Sequence, residues 1–274
     1  MGGPAGTGSR HELGSRGQAG FAERSPVVRV RDRERLAREI EHHRQIAGQA
    51  ELIWNWDSPA GRRRAERRAT LLVERARLGP GRLALELGCG TAVFLERVAR
   101  SGARILGLDL SPELLAGARQ RLAGVPNVRL ARGNAEQMPC PDAGFDAVYG
   151  SSILHHLDLD AALAEVFRVL RPGGRLAFAE PNILNPQVAV MFHLGLTKKY
   201  FGVSPDEMAF SRFRAVRALR RAGFADVAVQ PFDFLHPSTP APWIDRVVRL
   251  GESLERIPLL REMAGSLLIS GVKA

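Results

Sequence analysis

The chain is 274 residues long, with 39 Lys+Arg against 29 Asp+Glu, a formal net charge of +10, 45% hydrophobic residues and 2 Cys. That length supports one large α/β domain with a cap. Two cysteines exclude a disulfide framework or a zinc ribbon and leave no metal-ligand spacing, and no apolar run approaches the roughly 20 residues that span a bilayer.

Residues 1–20 are rich in Gly, Ser and Arg and lack the apolar stretch of a signal peptide, so a soluble, cytoplasmic protein is expected. Among the cations only Lys198, Lys199 and Lys273 are lysines, and residues 1–80 hold 16 Arg against 10 acids. The basic excess therefore reads as a property of the front of the chain rather than as a nucleic-acid footprint.

Residues 1–26 carry seven Gly and no hydrophobic period, which predicts a disordered leader. Apolar residues at helical spacing from Leu36 through Ala76 predict an N-terminal helical cap over 27–79. Within it, Trp54 to Gly61 reads as a turn followed by a helix start, with Ser58 as cap and Pro59 in the first helical position.

After residue 80 the rhythm changes. Strands are expected over 83–87, 104–108, 128–131, 145–149 and 175–179, alternating with helices over 92–101, 112–122 (capped by Ser111) and 160–170. Such alternation means βαβ units and a mostly parallel sheet with right-handed crossovers. A further helix over 211–222 stops at Gly223. Strands over 226–230 and 266–270 are expected to close the sheet as an antiparallel edge pair, with an amphipathic helix over 243–263 broken at Pro258.

The first strand runs into Leu85-Glu86-Leu87-Gly88-Cys89-Gly90-Thr91-Ala92. A strand ending in Gly-x-Gly and opening a helix lets a ligand approach backbone N–H groups. The dinucleotide fingerprint asks for a small residue at position 93, where this chain has Val93. The segment instead resembles the first motif of the class I S-adenosylmethionine-dependent methyltransferases, with Ala92 in place of the third glycine.

Other segments carry the same resemblance in order. Ile105 to Ser111 is similar to the family's second strand, ending in Asp109, which lies 21 residues past Gly88 and is placed to bond both ribose hydroxyls. Gly133-Asn134-Ala135-Glu136-Gln137-Met138-Pro139 resembles the segment whose acid bonds the adenine amino group; here Asn134 offers an amide oxygen instead. Phe145-Asp146-Ala147-Val148 and Arg171 to Leu176 resemble the fourth strand and the turn before the fifth.

The resemblance covers residues 80–182 and, more loosely, the closing strands. It implies a Rossmann-like α/β fold: a seven-stranded, mostly parallel sheet with an antiparallel edge strand, helices on both faces and the helical cap in front. The implied cofactor is S-adenosyl-L-methionine. The residues implied to hold it are Glu86, Gly88, Cys89, Gly90, Asp109, Leu110, Asn134, Ala135 and Ser151, in a domain over 80–274 with an insertion at about 183–210. Three of them have a plain structural use as well: Glu86 in an arginine pair, Asp109 as a helix cap, Cys89 as a small packing residue.

Methyl transfer is chiefly alignment of acceptor, methyl and sulfur, with a base where the acceptor must lose a proton. Ligands of open α/β sheets sit at the carboxyl ends of the strands. There, Ser152-Ile153-Leu154-His155-His156-Leu157 resembles the stretch after strand four in small-molecule methyltransferases, which makes His155 and His156 base candidates. Glu180, after strand five, is a third. Trp54 and Trp56 from the cap, Asn182, and His193 and Tyr200 from the insertion are candidate acceptor-binding residues, with ordinary packing as the alternative for the rings.

The expected activity is methylation, at O or N, of a small acceptor: a lipid, quinone, sugar-linked compound or secondary metabolite. The expected assembly is a monomer or homodimer. An RNA methyltransferase is the alternative, motivated by Arg63-Arg64 and Arg67-Arg68, which read more simply as a solvated helix face. No RNA-binding module is legible and no Asn-Pro-Pro-Tyr-like tetrapeptide follows strand four, so no nucleic-acid partner is favoured. A nicotinamide-dependent oxidoreductase is opposed by Val93 and by the 133–139 segment. A non-catalytic cofactor-binding subunit remains a fourth reading.

Overall fold

A computed structural model describes residues 1–2, 30–46, 48–193 and 209–274, with the backbone alone at 30–33, 42, 43, 46, 50, 52 and 193. The leader expected over 1–26 therefore falls, apart from its first two residues, outside the described residues, as does Tyr200.

Three helices form the front of the chain: α1 (Val30–Ile46), α2 (Ala50–Ile53) and α3 (Pro59–Ala76). The expected start of α3 is met. Ser58 has extended backbone, its Oγ accepts the Gly61 N–H at 2.9 Å, and Pro59 follows it.

The sheet contains β1 (Leu83–Leu87), β2 (Arg104–Asp109), β3 (Val128–Arg132), β4 (Phe145–Ser151), β5 (Leu170–Pro181), β6 (Phe224–Phe232) and β7 (Ser266–Lys273). The crossing helices are α4 (Val93–Val98), α5 (Pro112–Arg121) and α6 (Leu159–Val169). Helix α7 (Pro186–His193) follows β5, α8 (Arg212–Arg221) precedes β6, and α9 (Ile244–Leu254) and α10 (Pro258–Arg261) lie between β6 and β7.

Strand order is β3-β2-β1-β4-β5-β7-β6. The first five strands pair in parallel, and β7 runs antiparallel to both β5 and β6. The expected antiparallel pair is present, but β7 is threaded inside it and β6 is outermost. Burial explains the order: most of β7 is buried, whereas the middle of β6 is half-buried or exposed and its end carries Pro231, whose missing N–H an outer strand tolerates.

Alternation along the strands splits the core in two. Ala84, Ala147, Ala177 and Ala179 face the α3–α5 layer with Leu72, Leu95 and Leu115. Leu85, Leu87, Val148, Leu176 and Phe178 face α6 and α8 with Leu163, Val166 and Leu219. Each fully buried Leu is worth roughly 1.5–3 kcal/mol. The small residues on the α3 side let that helix lie close to the strand ends, which places one of its arginines beside them. Among the described residues no helix is long and apolar enough to cross a membrane.

Candidate active site

The turn after β1 alternates left-handed conformations, with φ of +61° at Gly88, +51° at Gly90 and +67° at Ala92. A side chain at Gly88 would strike Ile153, whose Cδ1 lies 2.4 Å from the position of a Cβ. At Gly90 the nearest atoms to such a Cβ belong to the Trp54 ring, at 3.7 and 3.8 Å. Ala92 keeps the turn in place of the third glycine, at a cost of about 1–2 kcal/mol for an L-residue in this region. Its N–H bonds the Cys89 carbonyl at 2.8 Å.

Asp109 ends β2 and is buried. Its Oδ2 accepts the Gly90 N–H at 2.8 Å and its Oδ1 accepts the Ser111 N–H at 2.9 Å. The cap of α5 is supplied by the Ser111 hydroxyl, which accepts the Leu114 N–H at 3.2 Å. Asp109 is thus not the helix cap; it braces the glycine turn, and a carboxylate with two such bonds retains lone pairs for hydroxyl donors. Leu110 is half-buried beside it.

Asn134 uses its Oδ1 to accept the Glu136 N–H at 2.9 Å, leaving a second lone pair on that oxygen. Ala135 is buried with Leu108 and Met138 in the core. Cys89 is also buried, and burial pushes its thiol well up, so it packs rather than attacks. Its backbone N–H pins the turn to the Leu108 carbonyl at 3.1 Å.

Glu86 lies beneath the turn at 1% exposure, opposite Tyr149 in the β1–β4 register. Among the described residues it has no arginine within ion-pair distance, against the alternative reading of its sequence. Burial, with the nearby Asp109 charge adding to it, pushes its carboxyl up to about 8, while the Tyr149 hydroxyl opposes the rise. Its Oε2 has no well-formed hydrogen bond. An acceptor-rich carboxylate at Asp109, an under-satisfied one at Glu86 and a turn free of side chains at Gly90 fit a ligand carrying hydroxyl and ammonium donors, which S-adenosylmethionine does.

Past β4 the chain makes a short 3-10 turn, Leu154–His156. Glu180, at 0% exposure near the end of β5, holds it together. Its Oε1 accepts the N–H groups of Ile153 at 3.0 Å and Leu154 at 2.9 Å, and its Oε2 lies 2.7 Å from His155 Nδ1. An ionised carboxylate only accepts, so Nδ1 carries the proton and Nε2 is left with the lone pair. The three base candidates are therefore brought together in unequal roles. Glu180 is spent on the chain itself and orients His155, while His156 is half-buried under α1, its Nδ1 2.9 Å from Glu39 Oε1.

The roof is built by the front helices. Arg35 of α1 bonds both Glu136 oxygens, at 2.6 and 2.5 Å, and the His156 carbonyl at 3.0 Å. Arg121 ties Glu51 of α2 to the Thr91 carbonyl. Trp54 thereby covers the glycine turn. Trp56 packs edge-on against Phe94, with ring centroids 5.0 Å apart, and belongs to the α3–α4 layer.

Asn182 is fully buried and its amide is occupied: Nδ2 donates to the Glu262 and Ala264 carbonyls at 2.8 Å each, and Oδ1 accepts the Leu184 N–H. It pins β5 to the segment before β7 rather than facing a ligand. His193 ends α7, but its side chain, like Tyr200, lies outside the described residues.

The solvated-face reading of the α3 arginines is corrected. Arg63 is exposed, Arg64 and Arg67 are half-buried, and Arg68 is 3% exposed, with Nη1 3.3 Å from the Ser151 hydroxyl. The signal was present in the spacing, since Ala65, Arg68, Leu72 and Ala76 fall on one helical face. The contacts of Arg35 and Glu39 had no such local signal, being made across more than 100 residues.

A methyltransferase-domain family model matches residues 85–178. The demethylmenaquinone methyltransferase of Geobacillus kaustophilus is 31% identical over 186 residues, which cover 60% of this chain and 79% of that protein. The malonyl-[acyl-carrier protein] O-methyltransferase of Serratia marcescens is 43% identical over 101 residues, and the match spans only 36% of this chain and 38% of that enzyme. An S-adenosylmethionine-dependent methyltransferase of Thermotoga maritima has the same fold, with a TM-score of 0.61 at 20% identity over 85% of this chain and 99% of that one. With the glycine turn, the Asp109 brace and relatedness along most of the Geobacillus protein, the chain belongs to the class I S-adenosylmethionine-dependent methyltransferases.

Proposed function

We propose that the protein methylates a small organic acceptor at oxygen or nitrogen, with His155 as the group that takes the acceptor's proton. The observation that carries this reading is the buried His155–Glu180 pair, set one turn past β4 at the same sheet edge as Gly88 and Gly90.

When bound, S-adenosylmethionine supplies an electrophilic methyl on a sulfonium sulfur. Asp109 would take its ribose hydroxyls and Asn134 its adenine edge. Glu86, whose charged form is penalised by burial in the ligand-free site, would be stabilised as a carboxylate by an ammonium partner. Ile153 and Trp54 shield the turn from water. Glu180 holds His155 in one tautomer, so its Nε2 receives the proton as the acceptor attacks. The acceptors in the names of two relatives, malonyl-[acyl-carrier protein] and demethylmenaquinone, support an acceptor that presents a small organic group.

The test is incubation with methyl-labelled cofactor and a panel of quinols, thioesters, amines and lipid extracts. Label is expected in a small-molecule fraction and to fall by about 10²–10⁴-fold in His155→Ala, with S-adenosylhomocysteine affinity retained. Label entering RNA alone would overturn the reading.

A further inference from the structure

Arg68 is a cation held in the interior, and its contacts do not complete it. Nη2 donates to the Ser266 hydroxyl, and Nη1 reaches Ser151 Oγ at 3.3 Å and Ser152 Oγ at 3.4 Å. Its Nε is buried with no hydrogen-bond partner. The Trp56 and Phe232 rings lie 5.3 and 5.7 Å from its Cζ.

The carboxylate nearest to it belongs more to another residue. Asp233 Oδ2 is 2.9 Å from Arg64 Nε but 3.9 Å from Arg68 Nη2. Arg67 is paired with Glu255, whose Oε1 also accepts the Asp233 N–H. Arg64, Arg67 and Arg68 thus face Asp233 and Glu255, with Glu180 as the third carboxylate acting on Arg68. Glu180 acts on Arg68 electrostatically, but its oxygens are bonded to the Ile153 and Leu154 N–H groups and to His155, and among the described residues no carboxylate makes a hydrogen bond to Arg68. Burial and the Arg64 charge lower Arg68 to about 10, so it remains protonated near neutral pH.

The three serines change what this cation offers. A hydroxyl that accepts from a guanidinium keeps its own O–H to donate. Ser151 ends β4, Ser152 follows it and Ser266 opens the antiparallel β7, so all three lie at the carboxyl edge of the parallel strands, where the acceptor is expected. Arg68 is met by three hydroxyl acceptors, each of which keeps its own O–H to donate, and its Nε stays unbonded.

We propose that Arg68, with the hydroxyls of Ser151, Ser152 and Ser266, is the subsite that recognises an oxyanion on the methyl acceptor, a carboxylate or a phosphate. This rests on the reading of the chain as a small-molecule methyltransferase and narrows the acceptor to an anionic one. The Trp56 ring lies over the guanidinium and shields it from solvent. In that setting a charge-assisted bond counts for more than it would in water.

The test uses the full chain saturated with S-adenosylhomocysteine, titrated calorimetrically with malonate, propionate, inorganic phosphate and, as a neutral control, propionamide. Anion binding is expected in the wild type, with carboxylate or phosphate ranked by the comparison. It should weaken at least about tenfold in Arg68→Gln and less in Ser266→Ala, while S-adenosylhomocysteine affinity stays within about twofold. Should Arg68→Gln not fold, Arg68→Lys, which keeps the charge and loses the fork, is expected to give a reduced and altered anion ranking. Absence of anion binding in the wild type, or anion affinity unchanged by Arg68→Lys and Ser266→Ala, would overturn the proposal. Failure of S-adenosylhomocysteine itself to bind would instead overturn the methyltransferase reading.

Discussion

His155 Nδ1 and Glu180 Oε2 lie 2.7 Å apart, with the acid fully buried and the imidazole 7% exposed. The same carboxylate accepts two backbone N–H groups of the turn that carries the histidine. One side chain thus sets the shape of the turn, the orientation of the ring and the nitrogen that holds the proton.

That arrangement separates a positioning role from a structural one. Glu180→Gln can still accept the backbone N–H groups through its amide oxygen, but its NH2 then faces Nδ1 and drives the proton to Nε2. The turnover rate should fall by about 10²–10⁴-fold with little change in S-adenosylhomocysteine affinity, and Glu180→Asp should recover part of it. Unchanged turnover in Glu180→Gln would show that alignment alone carries the reaction.

Glu86 makes the ligand-free protein sensitive to pH. Its carboxyl is raised from an ordinary 4.5 to about 8 chiefly by burial. Between those values the folded chain holds a proton that the unfolded chain has released, so stability falls as pH rises, by up to roughly 1.4 kcal/mol per pH unit from this group. Glu86→Gln should flatten that part of the profile and gain most over wild type at and above about pH 8. Urea unfolding at a series of pH values measures it.

The two glycines of the turn should differ in their tolerance of a methyl group. Gly90→Ala meets only the Trp54 ring at ordinary contact distance, so its cost is the left-handed backbone, about 1–2 kcal/mol. Gly88→Ala has the same backbone cost and also collides with Ile153. The melting temperature should fall further for Gly88→Ala, and Ile153→Ala should reduce the difference.

Arg35, with Nη2 on both Glu136 oxygens and Nη1 on the His156 carbonyl, clamps α1 over the His155–His156 turn. Charge-assisted pairs of this kind contribute about 1.5–3 kcal/mol. Arg35→Ala should speed limited proteolysis within α1 by about tenfold or more and raise the dissociation rate of S-adenosylhomocysteine, leaving cleavage within the sheet slow. Equal protection of α1 in both proteins would show that other contacts hold the roof.

Much of the architecture was legible from local patterns. Ser58, Ser111 and Ser211 announce helix starts through their own side chains, and each caps the helix that follows it. Gly88, Gly90 and Asp109 were legible because a turn without side chains and an acid at the next strand end are set by neighbours in sequence. The side-chain period of two separated the two faces of the sheet.

Length, strand alternation, the glycine turn and the Arg-rich front were thus determined by the sequence alone, because each depends on residues within a turn or two of one another. Only the tertiary structure decided that β7 runs inside β6, that Asn182 is spent on the chain, that Glu180 serves His155, and that Arg68 turns inward to three serines while Asp233 goes to Arg64. Those outcomes depend on partners 25 to 198 residues apart, brought together by burial, where the cost of an unsatisfied polar group decides which contacts form. The positive charge of the composition is, at Arg68, a buried cation at the carboxyl edge of the sheet.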